Sequence, residues 1–160
     1  MRTAFLGLGS NIDAEANIKS AIESLRRDFG QVGLSPVYRC PAVGFQGPDF
    51  VNLVARIETG LGPLELKNYL TGLENEHLRA RNVAKFSDRT LDIDILLYDD
   101  LWVFSPQLQI PRDEILEAAY VLRPLAELAP GRVHPVAHRT LAELWDSFPA
   151  EEVELVPLQL

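Results

Sequence analysis

The stretch "FSDRTLDIDILLYDD", residues 86–100, places two carboxylates within an apolar run. Its apolar residues predict a buried β-strand: Leu91, Ile93, Ile95, Leu96 and Leu97. Asp92 and Asp94 interrupt the run, and side chains two residues apart on a strand project from the same face, about 6.6 Å apart along the chain. The pattern therefore predicts an interior strand that presents two negative charges at one position of a sheet.

The elements on either side of this strand predict the fold. Residues 3–10 form an apolar strand, and a helix follows with one apolar stripe: Ile18, Ile22, Leu25 and Phe29. Two strands come next, 32–40 and 50–59, separated by a loop rich in proline and glycine. A second helix begins near Pro63 and carries the stripe Leu66, Leu70, Leu73 and His77. The order predicts an α+β fold with a ferredoxin-like βαββαβ core, a mainly antiparallel sheet with helices on both faces (an αβα sandwich).

Length and composition limit the class of protein. The chain has 160 residues, of which 47% are hydrophobic and 24% charged, and this fits one globular domain spanning residues 1–160. Its formal net charge of −8 argues against broad binding to nucleic acid or anionic membranes. Cys40 is the only cysteine, so no intramolecular disulfide can form and we expect a cytoplasmic protein. The apolar runs are too short for a signal peptide or a membrane span.

The paired aspartates suggest a metal site. Two ionised carboxylates close together repel each other and are costly to bury. A divalent cation relieves both effects, and Mg²⁺ typically binds one or two carboxylates together with substrate phosphates. Asp92 and Asp94 therefore suit metal-bridged phosphate chemistry. The alternative is an exposed edge strand whose aspartates are solvated, and the spacing alone leaves both interpretations open.

A cluster of cations precedes the acidic pair. Within eleven residues lie four of the 15 lysines and arginines of the chain: Arg79, Arg81, Lys85 and Arg89. No GxxxxGK[ST] loop is present to bind phosphates through backbone amides, so arginine side chains, which match phosphate oxygens bidentately, would take that role. A flexible charged surface loop is the competing interpretation for any one of these residues, but it accounts poorly for the group.

Three other features suggest further hypotheses. "GLGSN", residues 7–11, lacks the third glycine of a dinucleotide-binding loop, so we interpret it as a closely packed strand end. His134 and His138 have the spacing of a metal pair, but Pro135 between them argues against a regular helix, and solvated or capping roles are favoured. The acidic C-terminal stretch 149–160 is expected to form a surface tail.

Five segments occur in an order that is specific to one enzyme family. They are "GLGSN" at 7–11, "VYRCPAVG" at 37–44, "DFVNLVARIET" at 49–59, "RTLDIDILLY" at 89–98 and "YVLRPLAELAP" at 120–130. With these segments the chain resembles the 6-hydroxymethyl-7,8-dihydropterin pyrophosphokinases. The resemblance implies an ATP-dependent diphosphotransferase of folate biosynthesis, which transfers the β,γ-pyrophosphoryl unit of ATP to the hydroxymethyl group of the dihydropterin and releases AMP.

The resemblance also implies roles for individual residues. Asp92 and Asp94 would bind two Mg²⁺ ions around ATP, the co-substrate, and Asp94 would be the catalytic group that receives the hydroxyl proton. The other implied catalytic residues are Arg79, which stabilises the transferring group, and Arg89. The implied ATP-binding residues are Glu74, Arg79, Arg81, Arg89, Ile95 and Arg112.

A flat pterin needs aromatic faces and a few fixed hydrogen bonds. Phe50 and Asn52 lie on the same face of their strand, so that one can stack on the ring while the other binds its edge. The resemblance adds Tyr120 as the opposite stacking wall, and backbone groups near Cys40 and Val43 as further pterin-binding groups. Ordinary core packing is the alternative for Phe50 and Tyr120.

Several positions depart from the family pattern. Phe86 and Asp88 replace a tryptophan and a proline, and Asn82, Arg112 and Ala118 stand where the family has a lysine, a histidine and an arginine. The candidates to replace these missing family residues are Arg112, Lys85 and Arg123. These changes keep open an alternative function, a non-catalytic or altered-specificity paralogue that binds pterin or nucleotide. In either case we expect a monomer with small-molecule partners, which binds neither nucleic acid nor membrane.

Overall fold

The computed structural model describes residues 1–42, 45–77, 90–149 and 154–160. The elements before residue 90 are β1 (Arg2–Ser10), α1 (Ala14–Phe29), β2 (Gly33–Leu34), β3 (Val37–Cys40), β4 (Phe50–Thr59) and α2 (Pro63–His77). Those after it are β5 (Asp92–Tyr98), β6 (Val103–Phe104), β7 (Gln109–Ile110), α3 (Glu114–Glu117), α4 (Ala119–Leu128), α5 (Leu141–Asp146) and β8 (Val156–Leu158). The strand predicted around the two aspartates is therefore β5.

An antiparallel sheet lies at the centre of the fold. Within the described ranges its six strands follow the order β5–β1–β4–β3–β8, and β2 pairs with β4 beside β3. The pairings of β1 with β4 and with β5 are both antiparallel, so β1 is the central strand that joins the acidic strand to the rest of the sheet. The predicted ferredoxin-like βαββαβ core is confirmed by this strand order.

Helices cover both faces of the sheet, as predicted. The stripes of α1 and α2 pack on one face against alternate residues of the central strands, a cluster that includes Ile18, Leu25, Leu66, Leu70, Leu8 and Leu53. The helices α4 and α5 pack on the other face, in a cluster that includes Phe5, Val54, Leu97, Leu122 and Leu141. The αβα sandwich is thus confirmed. None of the helices in the described ranges has the length and apolar character to span a membrane.

The C-terminal segment is a correction to the sequence analysis, which expected a surface tail. Val156–Leu158 instead form β8, which pairs antiparallel with β3 so that Leu158 lies opposite Val37. Leu158 packs against the larger core cluster. The outer edge of β3 would otherwise present unpaired amides and carbonyls, and β8 covers it. The pairing partner lies far away in sequence, so the local composition carries no signal for it.

The turn after α4 is built on His134, whose side chain is buried. Its Nδ1 accepts hydrogen bonds from the amides of Val136 (3.1 Å) and Ala137 (2.9 Å), so the imidazole caps the turn. Of the two roles predicted for the histidines, solvated and capping, His134 has the capping role. His138 is exposed and has a positive φ of 58°. Burial, with the nearby His138, lowers the pKa of His134.

We expect acidification to weaken the fold through His134. Protonation of Nδ1 removes the acceptor of two amides, and the pKa is lower in the folded chain than in the unfolded chain. The stabilising contribution is therefore present above the ordinary histidine value of about 6.5 and is lost as the pH falls below it. Urea unfolding at about pH 8 and about pH 5.5 should show a smaller pH-dependent loss of stability for His134→Gln than for wild type. His138→Asn is the control, and an equal loss in all three proteins would contradict the prediction.

Candidate active site

Two glycines of the central strand form the floor of a cavity of about 440 Å³. In the register of the sheet, Gly9 lies between Asn52 of β4 and Asp92 of β5, and Gly7 lies opposite Asp94. A Cβ atom on Gly9 would lie 2.8 Å from Asn52 Oδ1, which is closer than real Cβ contacts allow. A glycine is therefore required for the floor to stay open beside Asn52.

The strand β5 forms the acidic wall of this cavity. Asp92 and Asp94 line the cavity, whereas Ile93 between them is buried in the core cluster on the opposite face. Burial, together with the charge of Asp92, raises the pKa of Asp94 to about 6. Glu74 of α2 accepts a hydrogen bond from the Ile93 amide (2.8 Å), and burial, with the nearby Asp92, raises its pKa to about 8. This concentration of acidic groups would be stabilised by a cation.

Arg112 brings a positive charge to the acidic wall. Its Nη2 lies 3.9 Å from Asp94 Oδ2 and donates to Glu114 Oε2 at 2.7 Å. Across the described parts of the chain, no group of three or more His, Cys, Asp or Glu side chains is arranged to hold a metal ion. Asp92 and Asp94 nevertheless fit Mg²⁺, because this ion commonly takes only one or two carboxylates and completes its ligand set with substrate phosphates and water.

The opposite wall of the cavity is aromatic and neutral. Phe45 and Phe50 contact each other edge to face, with ring centroids 6.4 Å apart and planes at 90°. Asn52 donates from Nδ2 to Cys40 Sγ at 3.0 Å. Burial raises the pKa of the Cys40 thiol to about 11, so the thiol stays neutral. Tyr120, near the start of α4, also lines the cavity, which thus combines ring faces with one oriented amide.

The family comparison matches the part of the chain that builds this cavity. The family model of 7,8-dihydro-6-hydroxymethylpterin-pyrophosphokinase (HPPK) matches residues 5–130, a range that contains every described residue of the lining. The chain belongs to this family. A curated member, the 2-amino-4-hydroxy-6-hydroxymethyldihydropteridine pyrophosphokinase of Pseudomonas aeruginosa, is 35% identical over 161 residues, which cover 98% of each chain.

Two further relatives of this HPPK-family chain are longer proteins. The folic acid synthesis protein fol1 of Schizosaccharomyces pombe is 35% identical over 158 residues, which cover 96% of this chain and 21% of that protein. Among solved structures, wild-type HPPK-DHPS of Plasmodium falciparum matches with a TM-score of 0.74 at 15% identity and covers 91% of this chain and 44% of that one. The chain therefore spans about a fifth of the length of fol1 and less than half of the length of the HPPK-DHPS chain. At 15% identity, the structural match supports the fold alone.

The structure describes most of the residues that were predicted for an HPPK site, and most of those described lie around one cavity. The lining contains Cys40, Phe50, Asn52, Asp92, Asp94, Arg112 and Tyr120. Glu74 lies beside the acidic wall, bound to the Ile93 amide. The side chain of Ile95 is buried in the core cluster on the other face of β5, so a contact with nucleotide would fall to its main chain. The remaining predicted residues, Val43, Arg79, Arg81 and Arg89, lie outside the described residues.

Arg123, the further candidate for the missing family cation, has other partners. Its guanidinium lies over the rings of Tyr38 and Trp145, at 4.8 Å and 5.9 Å from their centroids, and 3.9 Å from Glu127. It is not among the described residues that line the cavity. Arg112, by contrast, lines the cavity, and Lys85, the third candidate, lies outside the described residues.

Sequence reasoning missed several residues of the lining, among them Gly7, Gly9, Phe45 and Glu114. The glycines were interpreted as strand-end packing, although glycine at alternate positions of an apolar strand can also signal close approach of a ligand to the backbone. Phe45 lies in a loop and belongs to no periodic pattern. Glu114 lies two residues after Arg112, and only their distance in the structure reveals the pair.

Proposed function

We propose that this protein transfers pyrophosphate from ATP to the hydroxymethyl group of 6-hydroxymethyl-7,8-dihydropterin and releases AMP, in folate biosynthesis. Membership of the HPPK family supports this activity. The observation that carries the proposal is that the acidic pair and the aromatic wall line the same cavity. A reaction between a nucleoside triphosphate and a flat alcohol requires both reactants to be held in contact. The acidic wall of the cavity suits the metal-bound triphosphate, and the aromatic wall suits the flat ring.

The bond changes are those of an in-line displacement at the β-phosphorus of ATP. The hydroxymethyl oxygen forms a bond to this phosphorus, and the bond from the phosphorus to the oxygen that bridges to the α-phosphate breaks. AMP leaves with that electron pair. We assign Asp94 as the acceptor of the hydroxyl proton. Little further acid–base chemistry is needed, because positioning and charge stabilisation dominate phosphoryl transfer.

Asp92 and Asp94 are the proposed ligands of two Mg²⁺ ions. When bound, the Mg²⁺ ions would neutralise the charge of the phosphate oxygens. Arg79 and Arg89 are the proposed catalytic arginines, of which Arg79 stabilises the transferring group and Arg89 binds the phosphates. The proposed ATP-binding residues are Glu74, Arg79, Arg81, Arg89, Ile95 (through its main chain) and Arg112. Arg112 has support from its position at the acidic wall, 3.9 Å from Asp94.

We assign the pterin ring to the slot that Phe50 and Tyr120 line, with Asn52 at its edge. Because Asn52 Nδ2 donates to Cys40, its Oδ1 lies over the Gly9 floor and can accept a hydrogen bond from an N–H of the pterin. Backbone groups near Cys40 and Val43 are the other proposed pterin contacts. This arrangement orients the flat ring by stacking and selects it by its edge.

The proposal is tested with purified protein, Mg²⁺, ATP and the hydroxymethyl dihydropterin. We expect formation of AMP and of pterin pyrophosphate in equal amounts, measured by chromatography. Calorimetry that shows binding of both ligands without any AMP would favour the non-catalytic paralogue instead. A higher kcat/KM with another reduced pterin from a panel would favour altered specificity.

We further propose that residues 1–160 form one catalytic domain, which works as a monomer in the cytoplasm on small molecules, without nucleic acid or membrane. One domain is supported by β1 and β8, which lie near the two ends of the chain and belong to the same sheet. The cytoplasm is supported by Cys40, a buried free thiol. Sedimentation velocity should report the mass of a single chain.

A further inference from the structure

Glu114 lines the cavity and forms a close pair with Arg112. Arg112 follows β7, and Glu114 is the first residue of α3. The Nη2 atom of Arg112 lies 2.7 Å from Glu114 Oε2 and 3.9 Å from Asp94 Oδ2. The same nitrogen therefore faces two carboxylates, and its short charge-assisted hydrogen bond goes to Glu114 rather than to the proposed metal ligand.

The backbone of Arg112 is held within reach of Asp94. Its amide donates to the Leu96 carbonyl of β5 at 3.1 Å, so the start of the Arg112 side chain is anchored to the strand that carries Asp94. The carboxylate that the guanidinium binds is thus decided by side-chain rotation. Among the described residues, Arg112 is paired with two carboxylates, Glu114 and Asp94. If Glu114 were removed, Asp94 would be the carboxylate left to pair with Arg112.

A bond from Arg112 to Asp94 would compete with a metal. It would occupy carboxylate oxygens that Mg²⁺ needs as ligands, and it would add a positive charge beside the ion. It would also use guanidinium donors that a phosphate could otherwise bind. In the observed arrangement the Nε–H of Arg112 is buried, and it has no hydrogen-bond partner among the residues that the structure describes.

We propose that Glu114 is a positioning residue that holds Arg112 away from Asp94, so that Asp94 stays open to Mg²⁺ and Arg112 stays available to the ATP phosphates. The inference rests on the proposed function and adds a residue to it. Glu114 acts through Arg112 and touches neither the metal nor the reacting atoms in this role. The side chains of Arg112, Asp94 and Glu114 are 31%, 40% and 37% exposed, so solvent screens their interaction only in part.

The first test measures the Mg²⁺ dependence of binding of a non-hydrolysable ATP analogue by calorimetry. For Glu114→Gln we expect the half-saturating Mg²⁺ concentration to rise about threefold to tenfold, the range that loss of a partly exposed charge pair produces. Glu117→Gln is the matched control, because it removes the same charge from an exposed position of the same helix α3. Glu114→Asp keeps the charge and should recover part of the loss.

The second test repeats the measurement in an Arg112→Ala background. If Glu114 acts through Arg112, adding Glu114→Gln there should change the Mg²⁺ requirement by less than about 1.5-fold. A direct attraction between Glu114 and Mg²⁺ would instead leave an undiminished effect in that background, which would overturn the inference. A Glu114→Gln single variant that matches wild type would overturn it as well. Failure of the proposed function is a separate result, since wild type itself would then form no AMP.

Discussion

Asp94→Asn is expected to lower turnover by about three orders of magnitude or more while the protein stays folded. The substitution keeps the size of the side chain and its position on β5 but removes one of the two carboxylates proposed to bind Mg²⁺, and the proposed acceptor of the hydroxyl proton. Single-turnover formation of AMP measures the effect. Retention of more than about a tenth of the wild-type rate would contradict the assignment of Asp94.

Stability should change in the opposite direction from activity in Asp94→Asn. Burial and the charge of Asp92 raise the pKa of Asp94, so the ionised carboxylate is disfavoured in the ligand-free fold. The thermal midpoint of the ligand-free variant should therefore be higher than that of wild type, and Mg²⁺ with an ATP analogue should raise it less. Asp100→Asn, at an exposed position after the same strand, is the matched control and should keep wild-type turnover.

Gly9→Ala should lower kcat/KM for the pterin about 100-fold, because the new methyl group would lie 2.8 Å from Asn52 Oδ1. Asn52 would have to rotate, which would break its hydrogen bond to Cys40 and remove the proposed acceptor for the pterin edge. The KM for ATP should change by less than about threefold, since the acidic wall is untouched. Initial rates with each substrate varied in turn measure both effects.

Gly72→Ala is the control for this glycine substitution. Gly72 lies within α2, and a Cβ there would meet no atom of the described residues within 4 Å. Alanine should stabilise the helix by about 0.5–1 kcal/mol and leave both KM values at the wild-type level. If Gly9→Ala kept wild-type kcat/KM for the pterin, the floor of the cavity would not be where the ring binds.

The parts of the fold that could be predicted are those with strong local periodicity. The stripes of α1 and α2, with Ile18 and Leu66 among their members, predicted which helix faces are buried, because side chains three or four residues apart share a face. The alternation along β4 likewise placed Phe50 and Asn52 on the cavity side. The same alternation places the side chain of Ile95, next to Asp94, in the core on the other face of β5, so the site prediction for Ile95 has no support from its side chain.

By itself, the sequence determined the order of helices and strands in the core and the family, and it predicted the residue types of the proposed site: paired carboxylates, nearby cations, aromatic residues and one amide. The tertiary structure alone decided that Gly7 and Gly9 form an open floor, that Arg112 pairs with Glu114, and that Val156–Leu158 cover the edge of β3. The physical reason is the range of the interactions. Periodicity reports the side of an element on which a residue lies, whereas register, close approach and choice of ion-pair partner depend on segments far apart in the chain.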